Sequence, residues 1–207
     1  EFWIFIGALT LSLMSFQVLI PTSIPVWNKI VELFGGSSNV APPADQITFY
    51  SKFQLWFAVV VGLLSGIGQF FWWKKIDGKT LWKELMTPVL VSLVIFVVFW
   101  QVIIFNYDPS ILKKPAYLVI LLAGIFTVVA NTKILWSFFR SSPALSGGAV
   151  AHIGAGLMLI GILFSSGYSK VVSLNNTGLL YSREATEEYN RDNLLLFINE
   201  PARMADY

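Results

Sequence analysis

Five runs of mostly apolar residues, each long enough to cross a bilayer, leave this chain few ways to fold. In hydrocarbon every backbone N–H and C=O must find a partner within the protein, so an isolated apolar run of roughly 18 residues or more is read as a helix. The runs are 2–20, 53–73, 86–105, 116–139 and 147–167. Composition agrees: 56% of the 207 residues are hydrophobic and 13% are charged, against about a quarter charged in soluble domains. The expected fold class is an all-α polytopic membrane protein with about five transmembrane helices, in contact with the lipid bilayer. A net charge of +2 does not point to nucleic acid as a partner. With no cysteine in the sequence, disulfides, thiolate nucleophiles and cysteine-held zinc or iron–sulfur clusters are excluded from these residues.

The connections carry their own signals. Pro21 and Pro25 close the first run, because proline forbids a regular continuation. In "VWNKIVELF", Val26, Trp27, Ile30, Val31 and Phe34 recur at helical spacing opposite Asn28, Lys29 and Glu32, which predicts a short helix lying in the interface. Residues 35–45, "GGSSNVAPPAD", read as loop. The second run ends in "FFWWKK", aromatic residues followed by lysines, as at a membrane–water boundary. Lys74, Lys75, Lys79, Lys83 and Arg140 fall on one side of the spans, and Lys29, Lys52, Lys113 and Lys114 on the other. That bias places the "KKIDGK" loop in the cytoplasm and the carboxy-terminal tail in the periplasm. The chain enters an apolar run straight after Glu1 and stops at "EPARMADY" without a closing element, so a piece of a longer protein is expected.

Residues 168–207 differ in character. They carry Lys170, Arg183, Glu184, Glu187, Glu188, Arg191, Asp192, Glu200, Arg203 and Asp206, and the short apolar runs "KVVSL", "GLLYS" and "LLLFIN" alternate with polar turns. The expectation is the start of a small β-rich extracytoplasmic domain, 168–207, following a helical membrane domain, 1–167. Glu184, Glu187 and Glu188 read as a solvated face among mixed charges.

His152 is the single histidine, and it lies inside the fifth span, "GGAVAHIGAGLMLIGILFSSG". Ionisable groups at membrane depth usually face the bundle interior, and neutral imidazole is also a metal ligand. On a helical wheel Gly148, Ala149, Ala155 and Gly156 lie one turn either side of it. A flat ligand resting against these small residues, with its iron taken by the imidazole, reads as haem. The candidate site is therefore His152 as metal ligand, with Ala149 and Gly156 against the cofactor. A second small face, Ala151, Gly154, Gly161 and Ser165, is expected to admit close helix packing. Two other readings of His152 stand beside this one. It donates a hydrogen bond to a neighbouring helix, or it titrates in a secondary or proton-coupled transporter. Gln17, Gln69, Gln101 and Asn131 are expected to bond between helices. Lys133 is expected to snorkel toward the end marked by Arg140, or to neutralise a haem propionate.

The fifth span and its surroundings resemble the cytochrome c maturation haem lyases of the CcmF/CcsA type. Ala151, His152, Gly154, Leu157, Gly161, Ser165 and Ser166 match that family's late membrane helix, AHxGxxLxxxGxxxSS, which precedes a periplasmic domain. "SLMSFQVLIPTSIP", "NVAPPADQITFY" and "LLSGIGQFFWWKK" follow the family's order of elements before that histidine. The resemblance implies a bacterial inner-membrane protein in which His152 is an axial ligand of a b-type haem, the second ligand lying before Glu1. It implies apocytochrome c, haem-delivery proteins and other cytochrome c maturation proteins as partners, and covalent haem attachment as the activity of the whole protein. The family's tryptophan-rich haem-presenting segment has no counterpart here, since "FFWW" does not fit its pattern. The chain alone is therefore expected to hold haem rather than to ligate it.

Overall fold

The computed structural model describes residues 2–73, 78–107, 113–169, 171–175, 177–180, 183, 186–201 and 204. Lys74, Lys75, Lys170, Glu184, Arg203 and Asp206, named above, lie outside the described residues, as do the side chains of Trp72, Trp73 and Arg140. The chain forms two compact units, Glu1–Gly167 and Tyr168–Tyr207.

The first unit is helical. Its elements are α1 (Phe2–Thr22), α2 (Ile24–Leu33), α3 (Gln46–Trp73), α4 (Gly78–Asn106), α5 (Pro115–Ser141), a single 3-10 turn (Pro143–Leu145) and α6 (Gly147–Gly167). Five of these, α1, α3, α4, α5 and α6, are long and apolar enough to cross a membrane. The protein is thus a multi-pass membrane protein, built from helices whose outward side chains (Phe5, Phe16, Val94, Val98, Leu157 and others) are apolar and exposed.

The helices outrun the apolar stretches that mark them. α3 begins at Gln46 rather than Phe53, because Asp45 caps it: the Asp45 carboxylate accepts the Thr48 amide at 3.0 Å. α4 begins at Gly78 rather than Met86, carrying Lys79, Lys83 and Glu84 into its first turns. α2 ends in a Schellman turn. Gly35 adopts φ +77°, its amide reaches Glu32 O at 3.0 Å, and the Gly36 amide reaches Val31 O at 3.0 Å. Asn28 then donates to Val40 O and accepts from Ser38, tying the following loop back onto α2.

α5 is the centre of the unit, packed by α3, α4 and α6. Its contact with α6 is antiparallel and close: a Cβ at Gly156 would stand 3.1 Å from Gly124 O, and one at Gly124 2.9 Å from Ile160. With α3 it runs parallel and is tied by hydrogen bonds as well as shape. Thr127 donates its hydroxyl to Gly62 O at 2.6 Å, and Asn131 donates to Ser65 O at 3.1 Å. Against α4 the tie is ionic. Lys133 Nζ lies 2.7 Å from the Glu84 carboxylate and donates to Glu84 O at 2.6 Å. That carbonyl sits four residues before Pro88, which has no N–H to return to it. Lys133 supplies that hydrogen bond from the neighbouring helix.

In the second unit, α7 (Glu187–Asp192) is capped by Thr186, whose hydroxyl accepts the Tyr189 amide. Asn175 gathers the surrounding backbone: its amide reaches Arg191 O at 2.8 Å and its side chain donates to Asn190 O at 3.0 Å. Residues 171–175 and 193–197 have no regular structure, and no strand forms among the described residues. Glu187 and Glu188 are exposed, and Glu188 pairs with Arg191 at 3.7 Å.

Candidate functional site

His152 sits in the second turn of α6, half-buried, on the border of a cavity of about 330 Å³. The other walls come from two helices. α1 contributes Trp3, Ile4, Gly7 and Leu11; α3 contributes Val61, Leu64, Ser65, Gly68 and Gln69. The lining is mostly apolar, with the imidazole, one hydroxyl and one amide as its side-chain hydrogen-bonding groups apart from the Trp3 indole. Its volume is at the lower end of the roughly 300–1,000 Å³ of small-molecule and cofactor sites.

Three helices place these groups. α1 runs antiparallel to α3 and is fastened at two points. Trp3 stacks on Phe71 with ring centroids 4.5 Å apart and planes at 19°, and at the far end Gln54 donates to the Gln17 side chain. The cavity lies between these fasteners, nearer the Trp3 end. α6 is also antiparallel to α3, so that Gly148 abuts Gln69, where an added Cβ would stand 3.1 Å from the amide nitrogen. One turn further along, His152 comes level with Ser65 and Gly68.

The small residues of α6 do not divide between ligand and packing in the way the helical wheel implies. Ala149 is 0% exposed and belongs to the core cluster with Phe70, Phe126, Ala130, Ile134 and Phe138. Gly156 packs on α5, where an added Cβ would meet Val128 at 2.9 Å and Gly124 O at 3.1 Å. Neither lines the cavity beside His152. The expected packing face, Ala151, Gly154, Gly161 and Ser165, is exposed, and no atom lies within 4 Å of a Cβ built on Gly154 or Gly161. The packing falls to the other face: α6 turns its Ala149–Gly156 side to α5, where Gly156 meets Gly124. A wheel shows which residues share a face but not which neighbour that face meets.

The cavity residues contributed by α1 and α3 were not legible as a site. Gly7, Ser65 and Gly68 look like ordinary small residues of apolar spans. Gln69 stood out only as a polar residue at membrane depth. The other such residues have separate tasks. Asn131, 0% exposed, bonds to Ser65 O and Thr127 O; Gln101 is exposed on α4. Lys133 is committed to Glu84, so its ammonium is already paired and hydrogen-bonded.

Among the described residues no cluster of three or more His, Cys, Asp or Glu side chains comes together. Protein-held zinc takes three or four such ligands, whereas a porphyrin brings its own four nitrogens and asks the protein for one or two. A lone imidazole facing an apolar cavity fits the second requirement. Comparisons with protein-family models, curated proteins and solved structures return no match.

Proposed function

We propose that this chain is the haem-holding membrane portion of a cytochrome c maturation haem lyase. One observation supports the reading most strongly: the only histidine of these residues lies in a membrane-spanning helix and borders an apolar cavity. His152 would hold the iron of a b-type haem through one imidazole nitrogen. Trp3, Ile4, Leu11, Val61 and Leu64 would exclude water from the macrocycle. When bound, the haem supplies a redox-active iron inside the membrane. These residues would hold and orient the group. A second protein ligand to that iron would come from outside these 207 residues.

The same reading places the chain in a bacterial inner membrane, with residues 168–207 opening a β-rich periplasmic domain. It assigns apocytochrome c and haem-delivery proteins as partners. The lysine and arginine bias of the loops and the match around His152 support it.

The test is the absorption spectrum of the full-length protein purified from membranes. A b-type signal is expected, with His152→Ala losing most of it; an equal signal after substitution rejects the ligand assignment. Solute uptake that titrates at about pH 6–7, without any haem signal, would select the transporter reading of His152 instead.

A further inference from the structure

The glycines of the membrane helices differ in what a side chain there would meet. At Gly66 a Cβ would stand 2.6 Å from Phe126, and at Gly156 2.9 Å from Val128. These glycines are closed by packing. Gly7, Gly68, Gly154 and Gly161 have nothing within 4 Å. For Gly154 and Gly161 the reason is exposure on the outer surface of α6. Gly7 and Gly68 are half-buried and still open. Both line the cavity that His152 borders, one on α1 and one on α3.

Glycine weakens a helix relative to alanine, through backbone entropy and lost side-chain packing. At Gly7 and Gly68 no turn, positive φ or close helix approach calls for it. What the pair does is keep two walls of one cavity bare. A leucine at either position would project into a space of about 330 Å³ that a ligand would otherwise occupy. We infer that Gly7 and Gly68 set the aperture of the His152 site and select for a broad, planar macrocycle. A proton needs only the imidazole and would be indifferent to side chains at these positions. The inference rests on the haem-holding reading and adds the residues that determine what the site admits.

The experiment compares Gly7→Leu and Gly68→Leu with Gly154→Leu and Gly161→Leu in the full-length protein. All four substitutions add the same side chain to an open helical glycine, so generic effects on helix stability and hydropathy are matched. Haem bound per protein, read from the absorption spectrum after reconstitution with haemin, is expected to fall about tenfold or more for the first pair. The second pair should remain near the unsubstituted value. A readout that does not depend on a loaded enzyme comes from a single thiol. These 207 residues have no cysteine, so in full-length protein with any cysteine elsewhere replaced by serine, Gly68→Cys and Gly154→Cys can each be alkylated with a membrane-permeant maleimide, with and without zinc protoporphyrin. Porphyrin should slow the reaction at position 68 and leave position 154 unchanged.

Equal haem retention in all four leucine variants, with His152→Ala still losing haem, overturns the aperture while leaving the haem reading standing. Equal loss in all four also overturns it. An unsubstituted protein that takes up no haem, together with a Gly68→Cys thiol that no porphyrin protects, overturns both.

Discussion

α3 presents one face to α5 and another to α1, and the two contacts are built differently. Toward α5 the surfaces interlock. Gly62 and Gly66 admit Thr127 and Phe126, and the Thr127 hydroxyl and Asn131 amide bond across to α3 carbonyls. Toward α1 there are two separate fasteners, the Trp3–Phe71 stack and the Gln17–Gln54 amide pair, with a cavity between them. The consequence shows in burial: 56% of an apolar 18-residue stretch of α5 is buried, against 6% of such a stretch of α1. Lipid is as apolar as leucine, so hydrophobicity alone does not hold one helix against another in a bilayer. Close shape and interhelical hydrogen bonds do, and α5 has both. α1 has little of either, and its interface has room for something else.

This contrast is open to direct attack. The largest effect is expected where backbone meets backbone. Gly156→Leu would drive a side chain into Val128 and Gly124 O, at 2.9 and 3.1 Å from the Cβ alone. It should cost about 3 kcal/mol or more, since the facing carbonyl cannot yield as a side chain can. Gly154→Leu, on the same helix with open space around it, should stay within about 0.5 kcal/mol. Unfolding in mixed micelles measures both, and equal losses would erase the distinction between the two faces.

A smaller loss is expected at the α4–α5 tie. Lys133→Met removes the ion pair with the Glu84 carboxylate and takes one hydrogen bond from Glu84 O. Breaking a fully buried pair costs about 3–5 kcal/mol. These side chains are 35% and 37% exposed, so a loss of about 1–2 kcal/mol is expected after solvent screening. Haem content should not change. Depleted haem at unchanged stability would return Lys133 to the propionate role.

The smallest effect belongs to the α1 fastener. The Gln17 amide nitrogen and the Gln54 carbonyl oxygen are both buried without a hydrogen-bond partner. Replacing both residues with leucine removes two hydrogen bonds, Gln54 to Gln17 and Gln54 to Met14 O, and two unsatisfied polar atoms together. The double variant should fall within about 0.5 kcal/mol of the parent, or be more stable. A loss above about 1.5 kcal/mol would show that the amide pair binds α1 as firmly as α5 is bound.

Much of the helical layout was legible. The five spanning helices follow from the length and hydropathy of their runs, and the α6 bounds, Gly147–Gly167, coincide with the expected 147–167. Helix starts were less legible where charge enters. Lys79, Lys83 and Glu84 end the apolar signal of α4, but they do not end the helix, whose backbone bonds continue regardless of side-chain polarity. The site was half legible: His152 marked itself by being alone, while its surroundings could not be read from α6.

The sequence by itself determined that the chain crosses a membrane as helices and that one imidazole lies at depth. Both follow from local chemistry: unsatisfied backbone groups are too costly in hydrocarbon, and histidine occurs once. Only the tertiary structure decided what each small residue is for. Gly156 serves packing because α5 brings Gly124 against it, Ala149 because Ala130, Ile134 and Phe138 of α5 and Phe70 of α3 close around it, and Gly7 and Gly68 serve space because α1 stands off beside His152. The physical reason is that a glycine is the same absence of a side chain in every sequence, and what fills that absence is set by whichever helix comes to face it.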